Sequence, residues 1–171
     1  MALTDDFDLG ALALGPGEGR RLSLDVRLAP FALGGQTYRG RDASQPVVLD
    51  VARLSGSGYS LRLRLSARMT GPCVRCLEEA APELGVDARE VDQPGGGEEL
   101  DSPYVHDDVL DLAGWTRDAV SLALPTQVVC RPECAGLCAV CGANLNQAGP
   151  EHRHERAPDR RWAKLSELRF D

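Results

Sequence analysis

The sequence predicts an α+β fold, in which an antiparallel, β-rich domain carries one main helix and precedes a C-terminal module built around clustered cysteines. Three observations support this prediction: segments of alternating apolar and polar residues, one stretch of helical periodicity, and six cysteines confined to two clusters. We therefore assign residues 1–124 to the β-rich domain and residues 125–171 to the C-terminal module.

Four segments of the first domain predict β-strands. Residues 21–28, 60–67 and 84–90 alternate with period two, which is typical of strands that bury one face and expose the other. Residues 46–54 are more apolar and give a fourth strand, and the SGSG sequence that follows them indicates a turn. We expect an antiparallel sheet within residues 20–91, either open or closed into a barrel.

A loop and the main helix follow the predicted sheet. Residues 92–103 lack periodicity and contain three consecutive glycines, so we expect a flexible connection there. A helix is predicted near residues 111–123, beginning at the capping residue Asp111 and ending before Pro125. The members of its apolar stripe are Leu112, Trp115, Ala119 and Leu122. We expect Trp115 to belong to the core rather than to a binding surface.

The chain ends in a basic, amphipathic segment. Trp162, Leu165 and Leu168 lie on one helical stripe, which predicts a short C-terminal helix docked on the body of the protein. The same segment holds the basic residues Arg153, Arg156, Arg160, Arg161 and Lys164. They could form a local basic patch, although the formal net charge of -7 argues against strong, sequence-independent attraction of the whole chain to nucleic acid.

Composition and hydropathy predict a cytoplasmic protein. The N-terminal segment is acidic and lacks the basic and apolar regions of a secretory signal, and no apolar run approaches the ~20 residues that span a bilayer. We therefore expect no membrane partner. Thiols stay reduced in the cytoplasm, where clustered cysteine pairs more often bind metal or act in catalysis than form disulfides.

All six cysteines lie in the sequences CVRC at 73–76 and CRPECAGLCAVC at 130–141. A C-x2-C pair can place two thiolates on one zinc ion, which prefers four thiolate or imidazole ligands in a tetrahedron. Gly142 follows the last cysteine, where such a turn often requires a positive φ that glycine adopts freely. Thiol redox chemistry and structural disulfides are the alternatives, but redox function needs one C-x-x-C pair rather than two clusters.

Two histidines complete a set of eight candidate zinc ligands. The set is Cys73, Cys76, Cys130, Cys134, Cys138, Cys141, His152 and His154. Eight ligands suffice for two tetrahedral zinc ions, although two histidines in a charged tail could also be ordinary surface residues. His106 lies in an acidic loop, where we expect it to be solvated.

The eight ligands can be divided in two ways. We assign the second C-x2-C pair and the two histidines to one site, because the short loop between Cys141 and His152 costs little entropy to close. The other four cysteines then form a second site that joins the module to the sheet. The rival division joins the two C-x2-C pairs as a zinc ribbon and leaves Cys130 and Cys134 to the histidines.

A catalytic metal is poorly supported by the motifs. The nucleobase deaminase signature requires H-x-E upstream of its cysteines, and no histidine precedes His106. The sequence HERAP near the C-terminus is not the H-E-x-x-H motif of metalloproteases. Two saturated sites would leave no open position for water, so we interpret both zinc ions as structural and expect no small-molecule substrate.

Four motifs occur in a characteristic order over about residues 20–170: CVRCLE after a strand, LALP at the end of a helix, the run CRPECAGLCAVCGANLN, and DRRWAKLSEL. In these motifs the chain resembles the bacterial YceD family, the large ribosomal RNA subunit accumulation proteins. Members of that family often carry C-x-C where this chain has His152 and His154, and imidazole can replace thiolate at zinc. Their Asp-Pro-Arg appears here as PDRR, which leaves any specific role of Asp159 and Arg160 open.

The resemblance implies a cytosolic, non-enzymatic factor that large-subunit (23S) ribosomal RNA needs in order to be made or to persist. Its partners would be ribosomal RNA or a ribosomal protein in a pre-ribosomal particle. Arg75 and Arg131 lie within the cysteine clusters, where they could contact phosphate or neutralise thiolate charge. The alternative functions are a protein–protein adaptor that recruits a basic ribosomal protein, and an enzyme with dithiol redox or zinc hydrolase activity.

Overall fold

The computed structural model describes residues 3–149 and 151–154, so the predicted C-terminal helix and most of the basic patch lie outside the described residues. The larger of its two sheets has seven strands. They are β2 (Gly19–Arg27), β3 (Phe31–Leu33), β4 (Gln36–Gly40), β5 (Ser44–Arg53), β6 (Tyr59–Pro72), β7 (Glu79–Ala80) and β8 (Glu83–Asp92). Every pairing in this sheet is antiparallel.

The 14-residue strand β6 organises this sheet. Its first part lies between β5 and β8, and its last residues pair with β4 on one side and β7 on the other. Leucines at every second position face inward, so Leu61 and Leu63 are completely buried, while the intervening arginines face outward. Pairing on both sides makes β6 the central strand of the sheet. Because β6 ends at Pro72, Cys73 follows it directly.

The antiparallel, β-rich fold with one main helix is confirmed, but the closed barrel is not. Strands β2 and β8 lie at opposite edges of the order β2-β5-β6-β8, and among the described residues they do not pair. The helix α1 (Leu112–Ala123) contacts both of these edge strands. Because the helix packs between the edges, its apolar face covers the sheet and the hydrogen bonds that would close a barrel are not made.

A second, three-stranded sheet was not predicted. It consists of β1 (Asp6–Asp8), β9 (Val105–His106) and β10 (Val109–Asp111), with β10 in the middle. The buried Leu110 of β10 pairs with Phe7 of β1. The same register sets Asp6 directly opposite Asp111, a like-charge pair that gives this sheet an acidic edge.

Helix α1 confirms the prediction for residues 111–123, with one exception. Asp111 caps it by accepting a hydrogen bond from the Gly114 amide at 2.7 Å, and Trp115 belongs to the core. Leu122 was expected on the buried stripe, but its side chain is 86% exposed. The stripe centres on Leu112, Thr116 and Ala119 at helical spacing, which turns Leu122 toward solvent.

The connection between the sheet and the helix contains local structure. A 3-10 turn, Glu98–Leu100, lies within the predicted loop, and the Gln93 amide donates a hydrogen bond to the Leu100 carbonyl at 2.7 Å. The buried carboxylate of Asp92 accepts a hydrogen bond from the Ser102 amide. The flexibility expected of residues 92–103 stays a prediction. In the described part of the chain, no helix has the length and apolar character needed to cross a membrane.

Candidate metal centres

Both C-x2-C pairs lie on turns of the same construction. At the end of β6, the Cys73 amide donates to the Glu78 carbonyl at 2.7 Å, and the Leu77 amide donates to the Cys73 carbonyl at 2.9 Å. In the second turn, the Cys138 amide donates to the Ala143 carbonyl, and the Gly142 amide donates to the Cys138 carbonyl, both at 2.8 Å. Each turn therefore folds its backbone around two thiols on one side, as ligation of one metal by a C-x2-C pair requires.

The residue after each pair adopts a left-handed backbone conformation. Gly142 has φ of 72°, as the sequence predicted. Leu77 holds the equivalent position after the first pair with φ of 63°, a conformation that costs an L-residue about 1–2 kcal/mol. The leucine side chain is also 63% exposed, so burial of its apolar surface does not offset this cost.

Four thiols converge between the end of β6 and the segment after α1. The Cys73 and Cys134 Sγ atoms are 3.8 Å apart, and the Cys76 and Cys130 Sγ atoms are 3.7 Å apart. Three of the four residues are buried, and Cys130 is half-buried. All four Sγ atoms lie within 4.8 Å of one another. We call this set the four-cysteine group.

Backbone contacts hold the two halves of the four-cysteine group together. The Val74 amide donates to the Val128 carbonyl at 2.9 Å, and the Leu137 amide donates to the Arg75 carbonyl at 3.1 Å. The Arg75 guanidinium donates to the carbonyls of Pro132 and Cys134. The Arg75 side chain therefore positions the ligand-bearing segment, in addition to the roles in phosphate contact or charge neutralisation predicted for it.

Gly136 permits close packing at the same junction. Its φ is 77°, and a Cβ added there would lie 3.1 Å from the Arg75 carbonyl oxygen. A larger residue would be strained in its backbone and would press on the first turn.

Asn146 contacts the four-cysteine group, although cysteine spacing alone gave no indication of it. Its Nδ2 donates to Cys134 Sγ at 3.4 Å, and its Oδ1 accepts from the Ala135 amide at 2.9 Å and from Arg131 at 2.8 Å. Asn146 is held in turn by Asn144, which caps the short helix α2 (Leu145–Ala148). The NLN sequence was the available signal, because amide side chains directly after a cysteine cluster can bond to thiolates.

The second C-x2-C pair and the two histidines form the other set, which we call the Cys2His2 group. The Cys141 Sγ lies 3.4 Å from His152 Nε2 and 3.3 Å from His154 Nε2, and the two Nε2 atoms are 3.0 Å apart. With Cys138, these ligand atoms lie within 4.8 Å of one another. Cys141 and His154 are exposed, so this group is much more accessible than the four-cysteine group.

Hydrogen bonds favour ionisation of some of these thiols. Burial raises the pKa of Cys73, but hydrogen bonds from the backbone of Cys130, Cys76 and Arg75 outweigh it and lower the pKa to about 6. The Asn146 side chain lowers the pKa of Cys134. Hydrogen bonds from the backbone of Cys141 and Val140 and from His152 lower the pKa of Cys138 to about 6. Each group therefore offers at least one readily formed thiolate to a cation.

The spacing of the donor atoms fits a tetrahedral zinc ion. Zn–S bonds of about 2.3 Å place neighbouring sulfurs about 3.8 Å apart, close to the 3.8 and 3.7 Å observed in the four-cysteine group. Zn–N bonds of about 2.0 Å imply S–N edges of about 3.5 Å and an N–N edge of about 3.3 Å, near the values in the Cys2His2 group. Donor chemistry and geometry are thus compatible with zinc in both groups.

The structure brings all eight sequence-predicted side chains into these two groups, in the division that joins the histidines to the second C-x2-C pair. The zinc ribbon would require the two C-x2-C turns to face each other, and each turn instead joins a different group. Metal binding by these residues stays a prediction. His106 is exposed in β9, outside both groups.

Comparisons with known proteins show similarity over most of the chain. A protein-family model described as "Large ribosomal RNA subunit accumulation protein YceD" matches residues 61–169. The chain is similar to a maize (Zea mays) protein named "Large ribosomal RNA subunit accumulation protein YCED homolog 1, chloroplastic", with 30% identity over 162 residues, 71% of this chain and 54% of the relative.

Mycobacterial proteins named as uncharacterized are also similar to this chain. An uncharacterized protein of Mycobacterium tuberculosis is 40% identical over 110 residues, 61% of this chain and 52% of the relative. An uncharacterized protein of Mycobacterium leprae is 43% identical over 65 residues, 38% of this chain and 29% of the relative. The chain thus spans about half the length of the first curated relatives that it matches. No solved structure matches it.

Proposed function

This chain belongs to the YceD family, and from that membership we propose that it is a non-enzymatic factor for the accumulation of large-subunit (23S) ribosomal RNA during ribosome biogenesis in the cytoplasm. The observation that carries the proposal is the family match over residues 61–169, which includes every candidate metal ligand. The name of the maize relative supports the same role.

Two structural zinc ions form the second part of the proposal. Each group supplies four side-chain ligands, which complete a tetrahedron and leave no position for a reacting water. Cys73 and Cys76 would be joined through one metal to Cys130 and Cys134, and Cys138 and Cys141 through the other to His152 and His154. Such short, irregular segments bury little apolar surface, so zinc coordination would supply much of the free energy that folds them.

Four protein ligands in each group, which would fill the coordination sphere of a bound zinc ion, also support a role without catalysis. A catalytic zinc site keeps an open position for water or substrate, and dithiol exchange needs two thiols that are free to form a disulfide. In the four-cysteine group, three of the four thiols are buried beneath backbone contacts. We therefore assign the cysteines to holding the C-terminal module on the sheet.

A protein adaptor is the second candidate, and the acidic edge of the small sheet favours it. Asp6 and Asp111 lie opposite each other. Asp107 and Asp108 lie in the turn between β9 and β10, where Asp108 also forms an ion pair with Arg53. Like charges held at this spacing repel, and a basic protein segment would relieve that repulsion. A basic ribosomal protein has the chemistry that this edge would attract.

Depletion of the chain in its host tests the proposed function. We expect the ratio of large-subunit to small-subunit ribosomal RNA to fall and to recover when the wild-type gene is restored. An unchanged ratio would refute the proposal. Purification of the tagged chain at moderate salt, with and without ribonuclease, separates the two candidates: recovery of pre-ribosomal particles that is lost with ribonuclease favours RNA binding, and a basic protein that persists favours the adaptor.

A further inference from the structure

The outward face of the larger sheet concentrates arginine. In strands β2, β5, β6 and β8, the residues that alternate with the buried positions face away from α1. Six of them are arginines: Arg21, Arg27, Arg62, Arg64, Arg68 and Arg89. Four are acidic: Asp25, Asp50, Glu83 and Asp87. We call this surface the arginine face, and its balance is positive although the chain has a net charge of -7.

Carboxylates hold five of these six arginines in position without saturating them, and Arg89 is the exception among the described residues. Arg62 donates through Nε and Nη2 to Asp87, at 2.8 and 2.6 Å, and Arg64 donates through Nη2 to Asp50 at 2.9 Å. A guanidinium has five N–H groups, so each of these arginines retains donors for another acceptor.

A cleft opens in the sheet at one end of the arginine face. Strands β5 and β6 pair only as far as Val47 and Leu65, and beyond that pair β5 stays with β2 while β6 continues alongside β4. The resulting gap has a volume of about 760 Å³, within the range of small-ligand sites. Its polar lining includes two arginines, two carboxylates and the almost fully buried amide side chain of Gln45; the charged residues are Arg41, Arg68, Asp42 and Glu83.

We propose that the arginine face binds the phosphate backbone of RNA, with the cleft beside Arg68 receiving one nucleotide. This inference rests on the proposed function, which makes RNA the polyanion in question. None of the outward-facing residues of the four strands is aromatic, so the face offers no platform for stacking bases. Fixed guanidinium groups with free donors instead suit phosphate oxygens, which accept bidentate hydrogen bonds from arginine.

Anisotropy of a fluorescein-labelled RNA hairpin with a single-stranded extension tests the proposal at several salt concentrations. The double variant Arg64→Gln/Arg68→Gln should bind about tenfold more weakly or worse, and the slope of log affinity against log salt should fall by about two. Arg89→Gln, whose arginine has no ion pair among the described residues, should lower the affinity without disturbing the carboxylates. Glu83→Gln should increase the affinity, because it releases Arg68 from its ion pair.

Arg117→Gln on the exposed side of α1 is the matched control and should bind RNA like the wild-type chain. Urea unfolding and zinc content of each variant report whether it is folded. The assignment is overturned if the double variant binds as tightly as Arg117→Gln, or if heparin binds with the same affinity and the same losses. A wild-type chain that binds no RNA also overturns it, whereas the proposed function is decided separately by ribosomal RNA levels after depletion.

Discussion

The side-chain amide of Asn146 donates a hydrogen bond to the Sγ of Cys134 over 3.4 Å, which connects helix α2 to the four-cysteine group. The same side chain accepts hydrogen bonds from the Ala135 amide and from Arg131. Asn146 therefore orients the loop that carries Cys134 and favours the thiolate form of Cys134, the two functions expected of a residue next to a metal ligand.

Replacement of Asn146 by aspartate should weaken zinc binding by the four-cysteine group about tenfold or more. A carboxylate keeps the two accepted hydrogen bonds, but it cannot donate to Cys134 and it adds negative charge beside a thiolate. Competition with a chromophoric chelator measures the change. The matched control is Asn144→Asp, because Asn144 Oδ1 accepts hydrogen bonds from Asn146, a role that aspartate retains. Equal losses in the two variants would contradict this role for Asn146.

Replacement of both His152 and His154 by alanine should remove one of two zinc equivalents. The four-cysteine group shares no ligand with the Cys2His2 group, so its metal and the fold of residues 20–91 should be retained. Metal analysis and circular dichroism measure these two results. His106→Ala serves as the control and should bind two equivalents. Retention of both metals by the double variant would show that the histidines are not ligands.

The Leu77→Gly variant should be more stable than the wild-type chain by up to about 1 kcal/mol, because glycine adopts the left-handed conformation without the cost that leucine incurs. Urea unfolding of the zinc-loaded protein gives the difference. Val74 lies in the same turn and is not among the residues with positive φ, so Val74→Gly should instead lose about 0.5–1 kcal/mol. Equal destabilisation by both changes would argue against strain at Leu77.

Asp50 should make stability depend on pH in the acid range. The hydrogen bond from Arg21, supported by the charges of Arg21 and Arg64, outweighs burial and holds the pKa of Asp50 below its ordinary value of 3.8. A carboxyl group whose pKa is lower in the folded state than in the unfolded state stabilises the folded state at pH values above 3.8. This contribution is lost as the pH falls through the folded-state pKa.

Asp50→Asn should therefore cost up to about 1 kcal/mol at pH 7. The difference from the wild-type chain should shrink below pH 3.8. Urea unfolding at a series of pH values measures this difference in unfolding free energy. Any effect of metal loss at low pH is common to both proteins and cancels in the difference. Asp25→Asn, on the same face, is the control and should change stability little. A difference that stays constant with pH would contradict the assignment.

The main strands and the helix were predictable because each carries a strong periodic signal. Leu61, Leu63 and Leu65 alternate with polar residues over the length that β6 requires, and the turn that precedes β6 is rich in glycine and serine. The strands of the smaller sheet have only two or three residues each, too few for a period to emerge. Their pairing depends on contacts between the N-terminus and residues near 110, which no local pattern contains.

The β3–β4 hairpin had a usable signal that was overlooked. Gly34 and Gly35 both have positive φ and separate the two strands, and such a glycine pair is typical of a tight hairpin turn. The openness of the sheet and the exposure of Leu122 could not be predicted for another reason. Whether a sheet closes, and where a helical stripe is centred, depend on which elements pack together. The division of ligands followed from loop length, whereas the role of Asn146 required the geometry of hydrogen bonds around Cys134.

The wide sequence separation within the four-cysteine group sets an order of events during synthesis of the protein. Cys73 and Cys134 are 61 residues apart, so the thiols at the end of β6 leave the ribosome well before their partners. Cys141 and His154 are separated by only 13 residues, and that loop can close soon after it is made. The Cys2His2 group is completed after Cys134 has been made, but its four ligands are synthesised within a much shorter stretch of chain. Cys73 and Cys76 have no partner ligands until synthesis reaches the last quarter of the chain. During this interval their thiols are not held by metal, and the nascent protein is most vulnerable to oxidation.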